Sequence, residues 1–310
     1  MHTETENVFR TRAKYPYLSE EVNVRLLFPV GSISLWRAIL PEIRFMFRNR
    51  LYPLLLILPV LLARVAAAPA WQETPPTAKV WVDNPTAFEE FLETADIISV
   101  EDLGTGRNQP KRVTLRKGDR THRAIWKPIQ RGRQEWGWES YQAEVAAYEL
   151  DRLLALNMVP PTVVREIDEE MGSLQLWVEG CRLYEEVQDQ VPQDDNWNRQ
   201  ISRMRLFDSL IGNGDRGPRD FLVDGAWNIV LVDHSQAFQS SEVLDSTMLP
   251  ERFDRELVQK MKGIESMSLD VHFDRLLMRA QVTAIQGRRD ALLTYVEKAA
   301  GEHGETEVFY

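Results

Sequence analysis

Asp215, Asp220 and Asp233 are the residues in this chain best placed to do chemistry. Asp215 and Asp220 lie in the stretch Leu210-Ile211-Gly212-Asn213-Gly214-Asp215-Arg216-Gly217-Pro218-Arg219-Asp220, which ends a helical pattern and turns through glycine and proline into the short apolar run Phe221-Leu222-Val223. Asp233 closes a second apolar run, Ile229-Val230-Leu231-Val232. A turn that holds carboxylates beside a strand that ends in one can gather them around a metal-bound phosphate. Phosphoryl transfer needs one group to orient an attacking hydroxyl and others to hold the divalent ion that neutralises developing charge. Each residue also has an ordinary role. Asn-Gly-Asp is turn chemistry, so Asp215 alone reads equally well as a turn residue or cap. Asp233-His234-Ser235 is no hydrolytic triad, because neighbours on a strand point to opposite faces.

Two further residues precede these acids. Lys127 ends the strand pattern Ala124-Ile125-Trp126-Lys127, where a lysine facing a glycine loop acts as a point charge on phosphates. Glu144 sits among small and apolar neighbours in Gln142-Ala143-Glu144-Val145-Ala146, a setting that can turn it inward toward Lys127. Alone, each reads as a surface charge. Gly104-Thr105-Gly106 is weak by itself and fits neither GxGxxG nor GxxxxGK[ST]. Order and spacing lift the set. The protein-kinase signature puts a metal-binding Asn five positions after the catalytic Asp, then a metal-binding Asp at a strand end; here Asp220 stands five positions after Asp215, and Asp233 stands where the metal-binding Asp belongs.

The elements that must position these residues follow from periodicity. Ala87–Thr94 reads as a helix and Ile97–Leu103 as a strand that runs into Gly104 and Gly106. Lys111–Arg116 and His122–Trp126 are further strands, completing an antiparallel meander. Trp138–Leu156 takes a helical period, and strands follow around Val163 and over Leu174–Val178. From Asn198 the pattern is mainly helical apart from Phe221–Val223 and Asn228–Val232, with amphipathic helices over Glu251–Met261 and Phe273–Lys298. The expectation is an α+β protein: a small antiparallel-sheet lobe over 98–180 and a mainly helical lobe over 181–310.

The chain resembles the atypical kinase group that includes the phosphatidylinositol 3- and 4-kinases, the bacterial HipA-type kinases and the secretory-pathway kinases related to Four-jointed. The matching stretches cover roughly residues 98–240: Ala124–Pro128, Glu144–Leu154, Val159–Thr162, Phe207-Asp208 through Asp215-Arg216, and Val232–Phe238. The resemblance implies a two-lobed atypical kinase fold. It also implies that Lys127 binds ATP phosphates, Glu144 orients Lys127, Asp215 is the catalytic base and Asp233 a metal ligand. Gly104 and Gly106 would cover the phosphates, and Trp177-Val178-Glu179-Gly180 would be the hinge that contacts adenine. The group usually carries Asn where this chain has Asp220; Asp is a competent oxygen ligand for Mg²⁺ or Mn²⁺. Arg219 beside it, and the lack of His after Asp215-Arg216, are further departures.

Bulk properties narrow the field. Hydrophobic residues make up 44% and charged residues 27% of 310 residues, an ordinary globular balance. A net charge of −10 argues against nucleic acid as a partner. One cysteine, Cys181, precludes an internal disulfide, and the five histidines show no zinc spacing. Residues 46–70 combine a basic start (Arg48, Arg50), the apolar run Leu51–Leu62 and a small-residue cleavage pattern, Ala68-Pro69-Ala70. That favours a signal peptide with translation starting at Met46, residues 1–45 being a mis-assigned extension and 71–97 a leader. A membrane anchor through residues 51–63 and a buried helix are the alternatives. The chain is then exported, periplasmic or secreted, or membrane-anchored. Three activities stay open: a kinase using ATP with Mg²⁺ or Mn²⁺ on a protein, glycan or lipid hydroxyl; a pseudokinase binding module; and a nucleotidyl transferase.

Overall fold

The computed structural model describes residues 77–104, 109–134, 137–264 and 266–310. The signal or anchor segment and the extension before it lie outside the described residues, as does Gly106. Among the described residues no helix is long and apolar enough to cross a membrane.

The first helix, α1 (Pro85–Thr94), has proline at its start, where the missing N–H is no loss, and the Asn84 side chain caps the Ala87 N–H. Strands β1 (Asp96–Asp102), β2 (Lys111–Lys117) and β3 (Arg120–Lys127) form the expected meander. A hairpin of β6 (Thr162–Ile167) and β7 (Glu170–Leu176) completes an antiparallel sheet of order β1-β2-β3-β7-β6. Register decides the two faces. Val113, Leu115, Ala124, Trp126, Leu174 and Leu176 lie on one face and form a core with Phe91 and Leu92 of α1 and with Trp81. Each of the valine, leucine and phenylalanine side chains among them contributes about 1.5–3 kcal/mol by leaving water. The other face carries Arg123, Ile125 and Lys127, opposite Gln175 and Ser173.

Between β3 and β6 lie a two-stranded hairpin, β4 (Gly132–Gln134) and β5 (Gly137–Glu139), and the helix α2 (Tyr141–Leu154). The helical pattern expected from Trp138 therefore starts late: Trp138 and Glu139 are in β5, and the Ser140 hydroxyl caps Gln142 N–H. At its other end Asp151, buried, accepts the backbone N–H groups of Asn157, Met158 and Val159, which fixes the turn out of the helix.

The second half is mainly helical. After the short strand β8 (Arg182–Leu183) come α3 (Tyr184–Val187) and the long helix α4 (Asp195–Ile211), capped by Asp194 and ended by Gly212 at φ 66°. Strands β9 (Phe221–Val223) and β10 (Ile229–Leu231) form a small sheet with β8. Helices α5 (Arg255–Gly263), α6 (Ser266–His272), α7 (Arg279–His303) and α8 (Glu305–Val308) finish the chain. Two helical expectations shift here. The pattern from Glu251 begins only at Arg255, because Asp254 caps Leu257 N–H and Phe253 pairs with Phe309. The pattern from Phe273 begins only at Arg279, after a separate short helix and a turn. A core of Phe207, Leu210, Phe238, Phe253, Phe273 and Ile285 holds this half together and extends to Tyr148, Leu150 and Leu154 of α2.

The residues just before α1 join the halves. Thr77 Oγ1 and Ala78 N–H donate to Asp224 Oδ2, between β9 and β10, while Trp81 enters the sheet core. Lys79 Nζ donates to Asn157 O at 2.8 Å.

Candidate active site

Lys127 is the last residue of β3, and its neighbours there are set by a close backbone approach. A Cβ on Gly172 of β7 would stand 2.6 Å from Trp126 Nε1 and 2.8 Å from Lys127 O, so only glycine fits beside this strand end. On the open face of the sheet, Lys127 Nζ lies 2.5 Å from Glu144 Oε1 and 2.9 Å from Asp233 Oδ1. The lysine side chain is 13% exposed, Glu144 2% and Asp233 48%. The triad is thus closed on the helix side and open on the Asp233 side. Burial alone would lower the Lys127 pKa, but Asp233 and Glu144 outweigh it and hold the ammonium above its ordinary value. Burial would likewise raise Glu144; Lys127 and the neighbouring His234 reverse this and hold it well below the usual carboxylate range.

Glu144 Oε2 accepts the backbone N–H of His234 at 3.0 Å, so one carboxylate ties β3 to the segment after β10. The His234 ring is fully buried, with Nδ1 3.7 Å from Glu144 Oε2, an electrostatic contact too long for a hydrogen bond. Burial first, and then Arg216, lower its pKa, against the opposing effect of Glu144.

The acids come together through the β9–β10 ladder. Its register pairs Leu231 with Phe221, and one step further Val232 N–H donates to Asp220 O at 3.2 Å. Asp220 and Asp233 therefore flank one end of a two-stranded ribbon. Asp233 adopts φ 60°, a left-handed conformation that a non-glycine residue takes only when its surroundings enforce it. Asp220 Oδ2 accepts Gly217 N–H at 2.6 Å, which caps the turn and leaves Oδ1 for other partners. Asp215 lies exposed on the loop after α4. Although the residue as a whole is exposed, partial desolvation of its carboxyl is the first cause that raises its pKa, followed by Asp220 and Asp233; Asp220 is raised by partial desolvation and, among the charges, by Asp233.

Asp215, Asp220 and Asp233 repel one another, with Lys127 and the buried Arg216 as the nearby cations, and such a set of carboxylates could hold a divalent cation. Among the described residues no three acidic, histidine or cysteine side chains already converge at ligand distance.

The remaining expected residues are farther out. Gly104 sits at φ 64° after β1, and Leu103 N–H donates to Pro110 O across the base of that loop. Val178 is buried with the sheet core. Glu179 is exposed and gripped by Arg123, whose Nε donates to Oε1 at 2.8 Å while its guanidinium lies over the Trp177 ring. Residues that spacing does not single out also shape the site: Arg216 and Asp208, which form a buried ion pair beneath the acids. Both stand in the stretch Phe207-Asp208 through Asp215-Arg216 that carries the resemblance, and Asp208 adds a signal of its own, a charge between the apolar Phe207 and Leu210.

No family model and no curated protein matches the chain. Solved structures do. A Golgi casein kinase with Mn and ADP bound matches with a TM-score of 0.56 at 16% identity, over 74% of this chain and 78% of that one. A second structure of the Golgi casein kinase gives 0.55 at 16% identity, over 74% and 77%. The chain therefore has a kinase-like α+β fold, an antiparallel sheet followed by a mainly helical half. Two of its structural neighbours within that fold are these Golgi casein kinase structures.

Proposed function

We propose that this chain is an ATP-dependent kinase that moves the γ-phosphate to a hydroxyl group. The observation that carries it is the Lys127–Glu144–Asp233 triad, with contacts of 2.5 and 2.9 Å, set in a kinase-like fold. Lys127 holds ATP phosphates and Glu144 fixes the lysine. Gly104 and Gly106 cover the phosphates, and Val178 and Glu179 lie at the adenine edge. Asp215 accepts the hydroxyl proton as the oxygen attacks phosphorus, its raised pKa suiting it to take a proton. Asp220 and Asp233 hold Mn²⁺ or Mg²⁺, which neutralises charge on the phosphates.

The neighbour is named for casein and was solved with Mn and ADP, so a protein hydroxyl and Mn²⁺ are the first acceptor and metal to try; a glycan or lipid hydroxyl comes next. The chain is exported through a signal over 46–70, a reading that a Golgi-named neighbour supports, or is anchored in a membrane through residues 51–63. A second reading, a pseudokinase that binds nucleotide without transfer, is favoured by Asp220, whose Oδ2 is engaged by Gly217 N–H.

The deciding experiment incubates the full chain with γ-labelled ATP and Mn²⁺ against casein, glycans and cell-envelope extract, with Lys127→Ala and Asp233→Ala as controls. Transfer by the wild type alone supports the kinase. Mn²⁺·ADP binding without transfer to any acceptor supports the pseudokinase. Label from the α-phosphate reaching the acceptor supports a nucleotidyl transferase.

A further inference from the structure

Arg216 follows the exposed Asp215 but turns inward, with only 6% of its side chain exposed. Its guanidinium meets acceptors from three segments. Nε and Nη2 donate to the two oxygens of Asp208 on α4, at 2.9 and 2.8 Å. Nη1 donates to Asp220 O and, at 2.5 Å, to Val232 O. Asp208 is itself held by Asn213 Nδ2 at 2.9 Å. The two carbonyls belong to one acid of the site and to the residue immediately before another.

Resting on the kinase reading above, we propose that Arg216 is the positioning residue of the metal site: it sets the spacing and orientation of Asp220 and Asp233. The left-handed Asp233, at φ 60°, is suspended between two anchors. On one side Arg216 holds Val232 O; on the other Glu144 Oε2 holds His234 N–H at 3.0 Å. Asp220 is gripped twice, by Arg216 through its carbonyl and by Gly217 N–H through its side chain. A planar fork of five donors can serve a carboxylate and two carbonyls at once. An ammonium on a flexible stem cannot. With its guanidinium engaged by Asp208, Asp220 O and Val232 O, Arg216 acts through the two carboxylates, as groups behind metal ligands commonly do.

The test is Arg216→Lys, which keeps the charge and loses the fork. Mn²⁺ is titrated by calorimetry into the full chain with saturating ADP, and ADP binding without metal is measured separately. Near-UV circular dichroism reports whether the variant is folded. The expected result is a folded variant with Mn²⁺ affinity at least about tenfold weaker and metal-free ADP affinity unchanged. A merely structural role would lower the melting temperature and leave the Mn²⁺ affinity of the folded protein intact, which overturns the inference. If Arg216→Lys does not fold, the isosteric Asp208→Asn, which weakens the clasp on Arg216, is titrated in its place; wild-type Mn²⁺ affinity in that variant overturns the inference as well. A wild-type chain that binds neither Mn²⁺ nor ADP overturns the kinase reading and this inference with it. A wild type that binds both, beside a variant that binds equally well, removes the inference alone.

Discussion

Replacing Glu144 by glutamine takes one charge out of the site and changes its shape least. Glu144 is 2% exposed and serves two partners: Lys127 Nζ at 2.5 Å through Oε1 and His234 N–H at 3.0 Å through Oε2. Removing one member of a buried ion pair costs about 3–5 kcal/mol when it strands the other. Here Lys127 is not stranded, because Asp233 Oδ1 remains 2.9 Å away, and the amide oxygen can still accept one of the two bonds. The expected loss is therefore roughly half that range, about 2 kcal/mol, or a fall in melting temperature of about 4–8 °C for a chain of this size. The pH dependence has a definite sign. Glu144 has a depressed pKa, so its contribution is present above its ordinary value of 4.5 and is lost as pH falls toward the depressed one. Lys127 has a raised pKa, so its contribution is present below its ordinary 10.5 and is lost only as pH rises past that toward the raised value. The gap between wild type and Glu144→Gln is then flat across neutral pH and narrows below 4.5. A second effect follows from geometry. Freed from Glu144, Lys127 settles on Asp233, and Mn²⁺ must compete with an ammonium for that carboxylate. Mn²⁺ affinity in the presence of ADP falls about tenfold, which corresponds to about 1.4 kcal/mol. Thermal denaturation and calorimetric titration measure the two effects. An unchanged melting temperature at pH 7 together with unchanged Mn²⁺ affinity would refute the reasoning.

Asp215→Asn should lower kcat by about 10²–10⁴, the usual worth of a positioned general base. It should also raise the melting temperature at pH 7. A carboxyl whose pKa is raised on folding contributes stability below its ordinary 3.8 and loses it as pH rises through the folded value, so a lower melting temperature for the variant at pH 7 would count against the cleft assignment. Asp220→Asn should weaken Mn²⁺ binding about tenfold, improve metal-free nucleotide binding and leave transfer measurable at high Mg²⁺; equal metal affinities would remove Asp220 from the site. Asp151→Ala strips the acceptor from three backbone N–H groups, of Asn157, Met158 and Val159. It should cost about 3 kcal/mol or more in chemical denaturation; a loss below about 1 kcal/mol would mean that water replaces the carboxylate.

What could be read from the chain alone divides by range of interaction. The strand that ends in Lys127, the ribbon of β9 and β10, and the order of Lys127, Glu144, Asp215, Asp220 and Asp233 were all legible. Local alternation defines the strands, and a short hairpin brings Asp220 and Asp233 side by side once its register is known. Helix starts were less legible. The apolar period of Tyr141, Val145 and Tyr148 extends smoothly backward through Trp138, yet Ser140 caps the helix and Glu139 belongs to a strand paired with Gly132. Likewise Phe253 leaves a helical pattern for a partner, Phe309, that no local window contains. Least legible was Arg216. Next to a catalytic candidate, an arginine reads as a charge facing the cleft, and only the fold shows it turned inward onto Asp208, Asp220 O and Val232 O. The available clue lay at the other end of that contact: Asp208 is a carboxylate with apolar neighbours in a helix, and a charge so placed must be paired. A buried acid in a helix that leads into a candidate catalytic loop therefore asks for a cation from that loop, and between Gly212 and Asp220 the two choices were Arg216 and Arg219. Arg219 is 74% exposed and pairs with Glu185 at the surface. Arg216, closer to the end of α4, is the one whose reach and position satisfy Asp208 from below.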